Sequence, residues 1–249
     1  MPADQRVSPY DYSFDPGGPS TAARVCRLVG RERRVLEVGC GYGVISRQLS
    51  HGQGCAVTGV EYDRQSAEAA RPWLNQLVVA DLEKTDWVEA ISGRFDVVIA
   101  ADVIEHLRDP LHALGQFRQL MAEQGELVLS VPNIGHAGVL AELLCGDFSY
   151  RDTGILDRTH LRFYTWRSLE AQLNEAGFEV VHREAVNAPG SHEQFFHHWV
   201  KLPASVREAL DGHPLAQVFQ YVLKARRSER PVRLAVDDAD ALDAWLNRA

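Results

Sequence analysis

Ten residues, Arg34-Val35-Leu36-Glu37-Val38-Gly39-Cys40-Gly41-Tyr42-Gly43, constrain this chain more than any other stretch. The apolar run at 35–38 reads as a buried strand, and it leads into glycines spaced two apart. Beyond them Val44, Ile45 and Leu49 are apolar while Arg47 and Gln48 are polar, which is a helical pattern. Strand, glycine loop and helix in that order let a backbone approach a bound ligand closely, because a Cβ in the loop would collide with it. The loop that seats a pyrophosphate on a helix N-terminus has the different pattern G-x-G-x-x-G. Here the third glycine comes one residue early, and Glu37 stands two residues before the first. A carboxylate there repels pyrophosphate and suits a cationic ligand.

The chain then alternates strand and helix. Residues 56–61 read as a second strand ending in Glu61, about 20 residues beyond the loop, where nucleotide-binding α/β folds carry the acid that holds ribose hydroxyls. A solvated strand-end acid is the plainer alternative. Asp63 reads as the cap of a helix at 64–73 that Pro72 ends. A third strand at 77–80 runs into Asp81-Leu82, and a short helix follows at 86–91. The strand at 95–100 is apolar enough to be buried on both faces. Ala101-Asp102-Val103-Ile104-Glu105-His106-Leu107 leaves its carboxyl end, where open α/β sheets place ligands. A helix at 110–121 and a fifth strand at 125–131 complete a pattern that predicts an α/β fold with a doubly wound parallel sheet.

Residues 134–164 break the alternation. They hold an apolar helix at 137–144 and a long polar segment, more in keeping with a lid or binding wall than a spacer. A helix at 169–176, begun by Thr165 and stopped by Gly177, leads to strands at 178–185 and 217–226. Between these strands a His- and Pro-bearing excursion at 187–216 is expected to hold one helix. The expected organisation is an N-terminal arm and helix at 1–30, a main domain at 31–227 with insertions at about 132–164 and 187–216, and an acidic helical tail at 228–249. Ser20 caps the first helix, and Tyr10 and Tyr12 either anchor the arm or close over a ligand.

Bulk properties exclude several classes. Net charge is −8 with no long Lys/Arg run, which argues against non-specific nucleic-acid binding. Neither a signal peptide nor a membrane-spanning run is recognisable. Cys26, Cys40, Cys55 and Cys145 lack paired spacing and read as reduced thiols of a cytoplasmic protein.

Glu37-x-Gly39-x-Gly41-x-Gly43 resembles motif I of class I S-adenosylmethionine (SAM) methyltransferases. Gly154-Ile155-Leu156-Asp157-Arg158-Thr159-His160-Leu161-Arg162-Phe163-Tyr164-Thr165, after Pro132-Asn133, is similar to a block of Methyltransf_23-type members found in bacterial glycan and secondary-metabolite clusters. The similarity covers about residues 10 to 185. It implies a Rossmann-like, doubly wound, seven-stranded sheet, parallel but for an antiparallel last strand, with lid insertions. It implies SAM as cofactor and S-adenosylhomocysteine as product. Expected contacts are Glu37, Gly39, Gly41, Gly43, Glu61, Tyr62, Ala101 and Tyr12, with Asp81 at the adenine amino group and Leu82 beside the ring.

Methyl transfer from a sulfonium is a direct displacement, so the protein aligns the reactants and activates the nucleophile. A hydroxyl acceptor needs a base such as His, or a metal that stabilises the oxyanion. On a helical turn Asp102, Glu105 and His106 would share a face at i, i+3 and i+4; with His160 they have the composition of a divalent metal site, Mg or Mn being the expected ions. The pattern is similar to the metal site of plant small-RNA 2′-O-methyltransferases and to the Glu-His after the fourth strand of ubiquinone-biosynthesis O-methyltransferases. The other readings are a metal-free site with His106 or His160 as base, and a structural role with Glu105 capping and His106 packed. His192, His197 and His198 flank an aromatic helix that is packed or faces the acceptor. Arg151, Arg158 and Arg162 either meet acceptor phosphates or pair with Asp147, Asp152 and Asp157.

The family's occurrence beside glycosyltransferases implies O-methylation of a sugar hydroxyl in glycan biosynthesis, with Asp157 and His160 on the acceptor side. Expected partners are a small-molecule or glycan-intermediate substrate, with a homodimer or a glycosyltransferase complex as candidate assemblies. Two alternatives stand: a phenolic, quinone-like or amine acceptor, and a non-catalytic SAM-binding regulatory subunit. A pocket lined by Phe195, Phe196 and Trp199 would favour an aromatic acceptor, and one lined by Arg and Asp a sugar.

Overall fold

The computed structural model describes residues 11–228. Tyr10 and the acidic tail expected at its far end lie outside the described residues. In chain order the elements are α1 (Thr21–Val29), β1 (Arg34–Val38), α2 (Val44–Arg47), β2 (Ala56–Glu61), α3 (Arg64–Ala70), β3 (Gln76–Val79), α4 (Asp86–Glu89) and β4 (Phe95–Ala101). There follow α5 (Pro110–Leu120), β5 (Met121–Pro132), α6 (Ala137–Leu144), α7 (Trp166–Glu175), β6 (Phe178–Asn187), α8 (Phe196–Trp199), α9 (Ala204–Asp211) and β7 (Val218–Arg227). The strands form one sheet in the order β3-β2-β1-β4-β5-β7-β6. The expected seven-stranded mixed sheet is present, with β7 antiparallel to β6.

The chain packs as two compact units, one of residues 11–103 and 112–129, the other of 104–111 and 130–228. In the first, β1 pairs in parallel with β2 and β4, and β2 with β3, in the register Leu36↔Thr58 and Leu36↔Val98. Val35, Leu36, Val57, Val97, Val98 and Ile99 are fully buried there, which is why these strands read as continuous apolar runs. Capping is as the sequence suggests. The Ser20 hydroxyl accepts from Ala23 N–H, and Asp63 Oδ1 accepts from Ser66 N–H at 2.8 Å.

In the second unit, α7 starts with a reciprocal Thr165–Ser168 capping box, one turn earlier than its apolar pattern suggests. Phe178 and Tyr221 are buried in the β6–β7 ribbon. The excursion expected to hold one helix holds two, α8 and α9. Pro203 stands between them, and its fixed φ with no N–H to donate ends one helix and starts the other. Trp199 packs with Ala137, Ala141, Leu202 and Ala216, and Phe195 with Val139, Ile155 and Leu156. Phe195 and Trp199 are thus core residues, and only Phe196 of that aromatic trio is exposed. Among the described residues no helix is long and apolar enough to cross a membrane.

Candidate functional site

The glycine loop closes β1 by three successive left-handed glycines, Gly39 (φ 66°), Gly41 (φ 51°) and Gly43 (φ 77°). They are glycines for different reasons. A Cβ on Gly39 would stand 2.6 Å from Val103 Cγ2, and one on Gly43 would stand 2.9 Å from Ala70 Cα. A Cβ on Gly41 would meet no protein atom within 4 Å, so the space beside it is open. The loop is tied to β2: Gly39 and Cys40 N–H both donate to Val60 O, and Gly41 N–H donates to Glu61 Oε2 at 2.8 Å. Glu61 also accepts from Asp63 N–H through Oε1, so the expected ribose acid is oriented at the strand end.

Glu37 is 3% exposed at the end of β1, and the Ser46 hydroxyl donates to its Oε2. Burial pushes its carboxyl up to about 8, against the Ser46 hydrogen bond and with help from the charge on Glu61. Ser46, on the first turn after the loop, was not singled out in the sequence; its distance of nine residues from Glu37 has no periodic signature. Tyr12 is held by its carbonyl, which accepts from Arg47 Nη2 at 3.0 Å. Burial first, then the neighbouring acidic groups led by Asp102, pushes the Tyr12 phenol up. Asp81 Oδ1 accepts from Glu83 N–H in the turn after β3, Leu82 beside it is buried, and Tyr62 is exposed. Cys40 is buried with its thiol pushed up by burial, in keeping with a loop filler.

The second unit brings Glu105, His106 and His160 together, with one ligand-type atom of each within 4.8 Å of the others. Glu105 is 1% exposed, on a single 3-10 turn, Ile104–His106. The ring of His106 meets that of His160 edge to face at 4.8 Å. Both imidazoles have one nitrogen committed. His160 Nδ1 lies 3.0 Å from Ile155 O, and His106 Nδ1 lies 3.3 Å from Thr159 O. A carbonyl can only accept, so each Nδ1 carries a proton. Thr159 Oγ1 donates to Asp157 Oδ1 at 2.6 Å and lies 3.1 Å from His106 Nδ1. Asp157 therefore orients His106 through Thr159, whose role has no signature in the sequence pattern of 154–165.

Burial holds the His160 imidazole below its ordinary value, against the Ile155 carbonyl and the Asp157 charge, which keeps the ring neutral. Burial raises the Asp157 carboxyl, but the Thr159 hydroxyl and N–H and the two histidines outweigh it and leave it low. Rings continue outward from His160: Phe163 at 6.4 Å, Phe148 a further 5.9 Å, and Tyr150 a further 5.4 Å between centroids. Exposure rises along this row, from 8% at His160 to 37% at Phe148 and 53% at Tyr150.

Asp102 does not share a helical face with Glu105 and His106. It sits in a bend at φ 55°, before the 3-10 turn begins, so the i, i+3, i+4 spacing is not realised. The donor group among the described residues is Glu105, His106 and His160 without Asp102. The arginines are engaged by the chain itself: Arg151 pairs with Glu142, Arg158 with Asp152, and Arg162 donates to Arg108 O. His198 Nε2 lies 3.0 Å from Asp147 Oδ2.

Residues 19–183 match the Methyltransf_23 family, described as a methyltransferase domain. The chain is 31% identical over 155 residues to a ubiquinone biosynthesis O-methyltransferase of Psychrobacter arcticus, covering 59% of each chain. It is 29% identical over 157 residues to one of Pseudomonas aeruginosa, covering 59% of this chain and 65% of the relative. The matches thus span less than two thirds of these relatives. Among solved structures, magnesium protoporphyrin IX methyltransferase of Synechocystis with bound S-adenosylhomocysteine superposes with a TM-score of 0.57 at 16% identity, over 84% of this chain and 83% of that one. The chain belongs to the Methyltransf_23 family of methyltransferase domains and shares its fold with the Synechocystis methyltransferase.

Proposed function

We propose that this protein methylates a hydroxyl of an aromatic, phenol-like acceptor, with SAM as the methyl donor. The observation that carries the reading is the row of rings from His106 and His160 through Phe163 and Phe148 to Tyr150. Such a row offers edge and face contacts to an aromatic ring with its hydroxyl toward the histidines. The names of the curated relatives, O-methyltransferases of ubiquinone biosynthesis, point the same way. A pocket lined by Arg and Asp would favour a sugar, but Arg151 is held by the buried Glu142 and Arg158 pairs with Asp152.

In this reading Glu37 takes the cationic end of SAM, the open space at Gly41 admits the cofactor, and Glu61 holds the ribose. His160 stays neutral and accepts the acceptor proton on Nε2, and Asp157 keeps His106 in the matching tautomer through Thr159. Two imidazole Nε2 lone pairs and a buried carboxylate also fit a divalent ion. Such an ion, held by Glu105, His106 and His160, would lower the pKa of the acceptor hydroxyl. Removal of the methyl group from sulfur needs only alignment and exclusion of water.

The test is methyl transfer from radiolabelled SAM to a 4-alkylcatechol and to methyl glucoside, with His160→Ala as control. Labelled methyl catechol, lost in the variant, is the expected product. Labelled glucoside alone would overturn the aromatic reading and restore the sugar one.

A further inference from the structure

His160 sits in a stretch without helix or strand, yet it is nearly buried and belongs to a tight donor group. Its orientation therefore rests on individual contacts. After His160 the chain is tied by Leu161 and Arg162 N–H, which donate to Glu105 O at 2.8 and 2.9 Å. Before it, the main chain of Arg151 closes a turn: Arg151 N–H donates to Leu156 O at 2.8 Å, and Arg158 N–H donates to Arg151 O at 2.9 Å. Inside that turn Asp157 N–H donates to Gly154 O, His160 N–H donates to Asp157 O, and His160 Nδ1 donates to Ile155 O. The Ile155 carbonyl is thus one residue from the Leu156 carbonyl that Arg151 N–H holds.

What holds Arg151 is Glu142 on α6. Its side chain is fully buried, and Arg151 Nη2 donates to its Oε2. Ser149 N–H donates to Glu142 Oε1 at 2.6 Å, and His198 Nδ1 lies 3.8 Å from Oε2. The Arg151 guanidinium also donates to Ser149 O and Gln194 O, and it lies over the Phe195 ring at 5.0 Å. Four contacts, to Glu142, Ser149 O, Gln194 O and the Phe195 ring, fix the direction of one planar fork, and Ser149 N–H and His198 fix the carboxylate it meets.

We propose that Glu142 is a positioning residue for the acceptor site: acting through Arg151, it orients the turn 151–160 so that the His160 imidazole stays in the group with Glu105 and His106. The effect on turnover rests on the function proposed above; the effect on His160 itself does not.

The experiment uses the full chain labelled with 15N-histidine. In the native protein His160 gives the Nδ1–H tautomer, with a slowly exchanging proton on the Ile155 carbonyl. In Glu142→Gln the signal moves toward a tautomer mixture and proton exchange quickens tenfold or more. Affinity for S-adenosylhomocysteine is unchanged, and kcat with a 4-alkylcatechol falls about 10- to 100-fold, the scale of a misplacement near 1 Å. If Glu142→Gln fails to fold, Arg151→Lys decides, since it keeps the charge and loses the fork; the same shifts are expected. An unchanged His160 signal in a folded variant of either kind overturns the proposal. A native protein that methylates no catechol, while the His160 signal still responds to Glu142→Gln, overturns the aromatic acceptor and leaves the positioning role standing.

Discussion

The glycine loop and the turn around His160 are both irregular backbone to which the proposed function gives a role, and they are held by different means. Gly39, Gly41 and Gly43 lie within five residues of one another and are fixed by β1 before them and β2 beside them. The loop needs no side chain of its own, only glycines that accept positive φ and close packing. The turn at 151–160 has no flanking strand. It is fixed by residues distant in sequence: the Glu142 side chain through Arg151, and the main-chain carbonyl of Glu105. A loop held by regular backbone is a general device that a sequence pattern can reveal. A turn held by a buried carboxylate and scattered main-chain contacts depends on residues far apart in sequence and is more easily disturbed.

The largest expected effect separates the two regions. His160→Ala removes the candidate base and should lower methyl transfer to a catechol by about 10²- to 10⁴-fold. Binding of S-adenosylhomocysteine, which the proposed function assigns to the other unit, should stay within error in calorimetric titration. Loss of cofactor binding by folded His160→Ala would collapse the division of labour.

Within the glycine loop the next contrast is between neighbours. Gly39→Ala puts a Cβ 2.6 Å from Val103 and keeps φ at 66°, so it should cost about 2–5 kcal/mol of stability. Gly41→Ala meets no protein atom and should cost only the left-handed strain, about 1–2 kcal/mol, while weakening S-adenosylhomocysteine more than Gly39→Ala does per molecule still folded. Urea denaturation without ligand, followed by titration at low denaturant, reads both. Equal losses of affinity would mean that Gly41 does not face the cofactor.

How much of this was legible follows the same division. Glu37, the three glycines and Glu61 are close in sequence or at a fixed spacing along β1 and β2, so pattern located them and their packing adds only the reasons. His106 and His160 could be picked out as residue types. Their shared geometry could not, because it depends on the main chain of 161–162 reaching Glu105. Asp102 departs from the helical spacing of its neighbours for a local reason: the chain makes a left-handed bend there. Glu142 reads in sequence as a polar position on an apolar helix; nothing local shows that Arg151, nine residues on, turns back to it.

A pH effect sharpens the account of the glycine loop. The Glu37 carboxyl has an ordinary value of 4.5 and is pushed up to about 8 by burial in the ligand-free fold. The folded state therefore keeps a proton that the unfolded chain has released, and stability falls as pH rises from about 4.5 to about 8. A cationic amino group beside Glu37 reverses the preference. Binding of S-adenosylhomocysteine should release up to one proton in that window, and affinity should rise by at most about tenfold per pH unit until about 8. Calorimetry in buffers of different ionisation enthalpy counts the protons; Glu37→Gln should release none. Proton release that persists in Glu37→Gln would place the titrating group elsewhere.

The smallest effect is expected at Arg158, which differs from Arg151 only in what surrounds it. Its ion pair with Asp152 joins two exposed side chains, whereas Glu142 beneath Arg151 is fully buried. Water screens the first pair, so Arg158→Ala should change stability by less than about 1 kcal/mol. Losing one partner of the second leaves an uncompensated buried charge, and Arg151→Ala should cost about 3–5 kcal/mol. The aromatic reading also predicts that Arg158→Ala leaves KM for a catechol unchanged, because that acceptor offers the guanidinium no phosphate. A several-fold rise in KM for a nucleotide-linked sugar, in a variant of native stability, would show Arg158 leaving Asp152 for the acceptor. The surface arginine and not the ring row would then be the feature that selects the substrate.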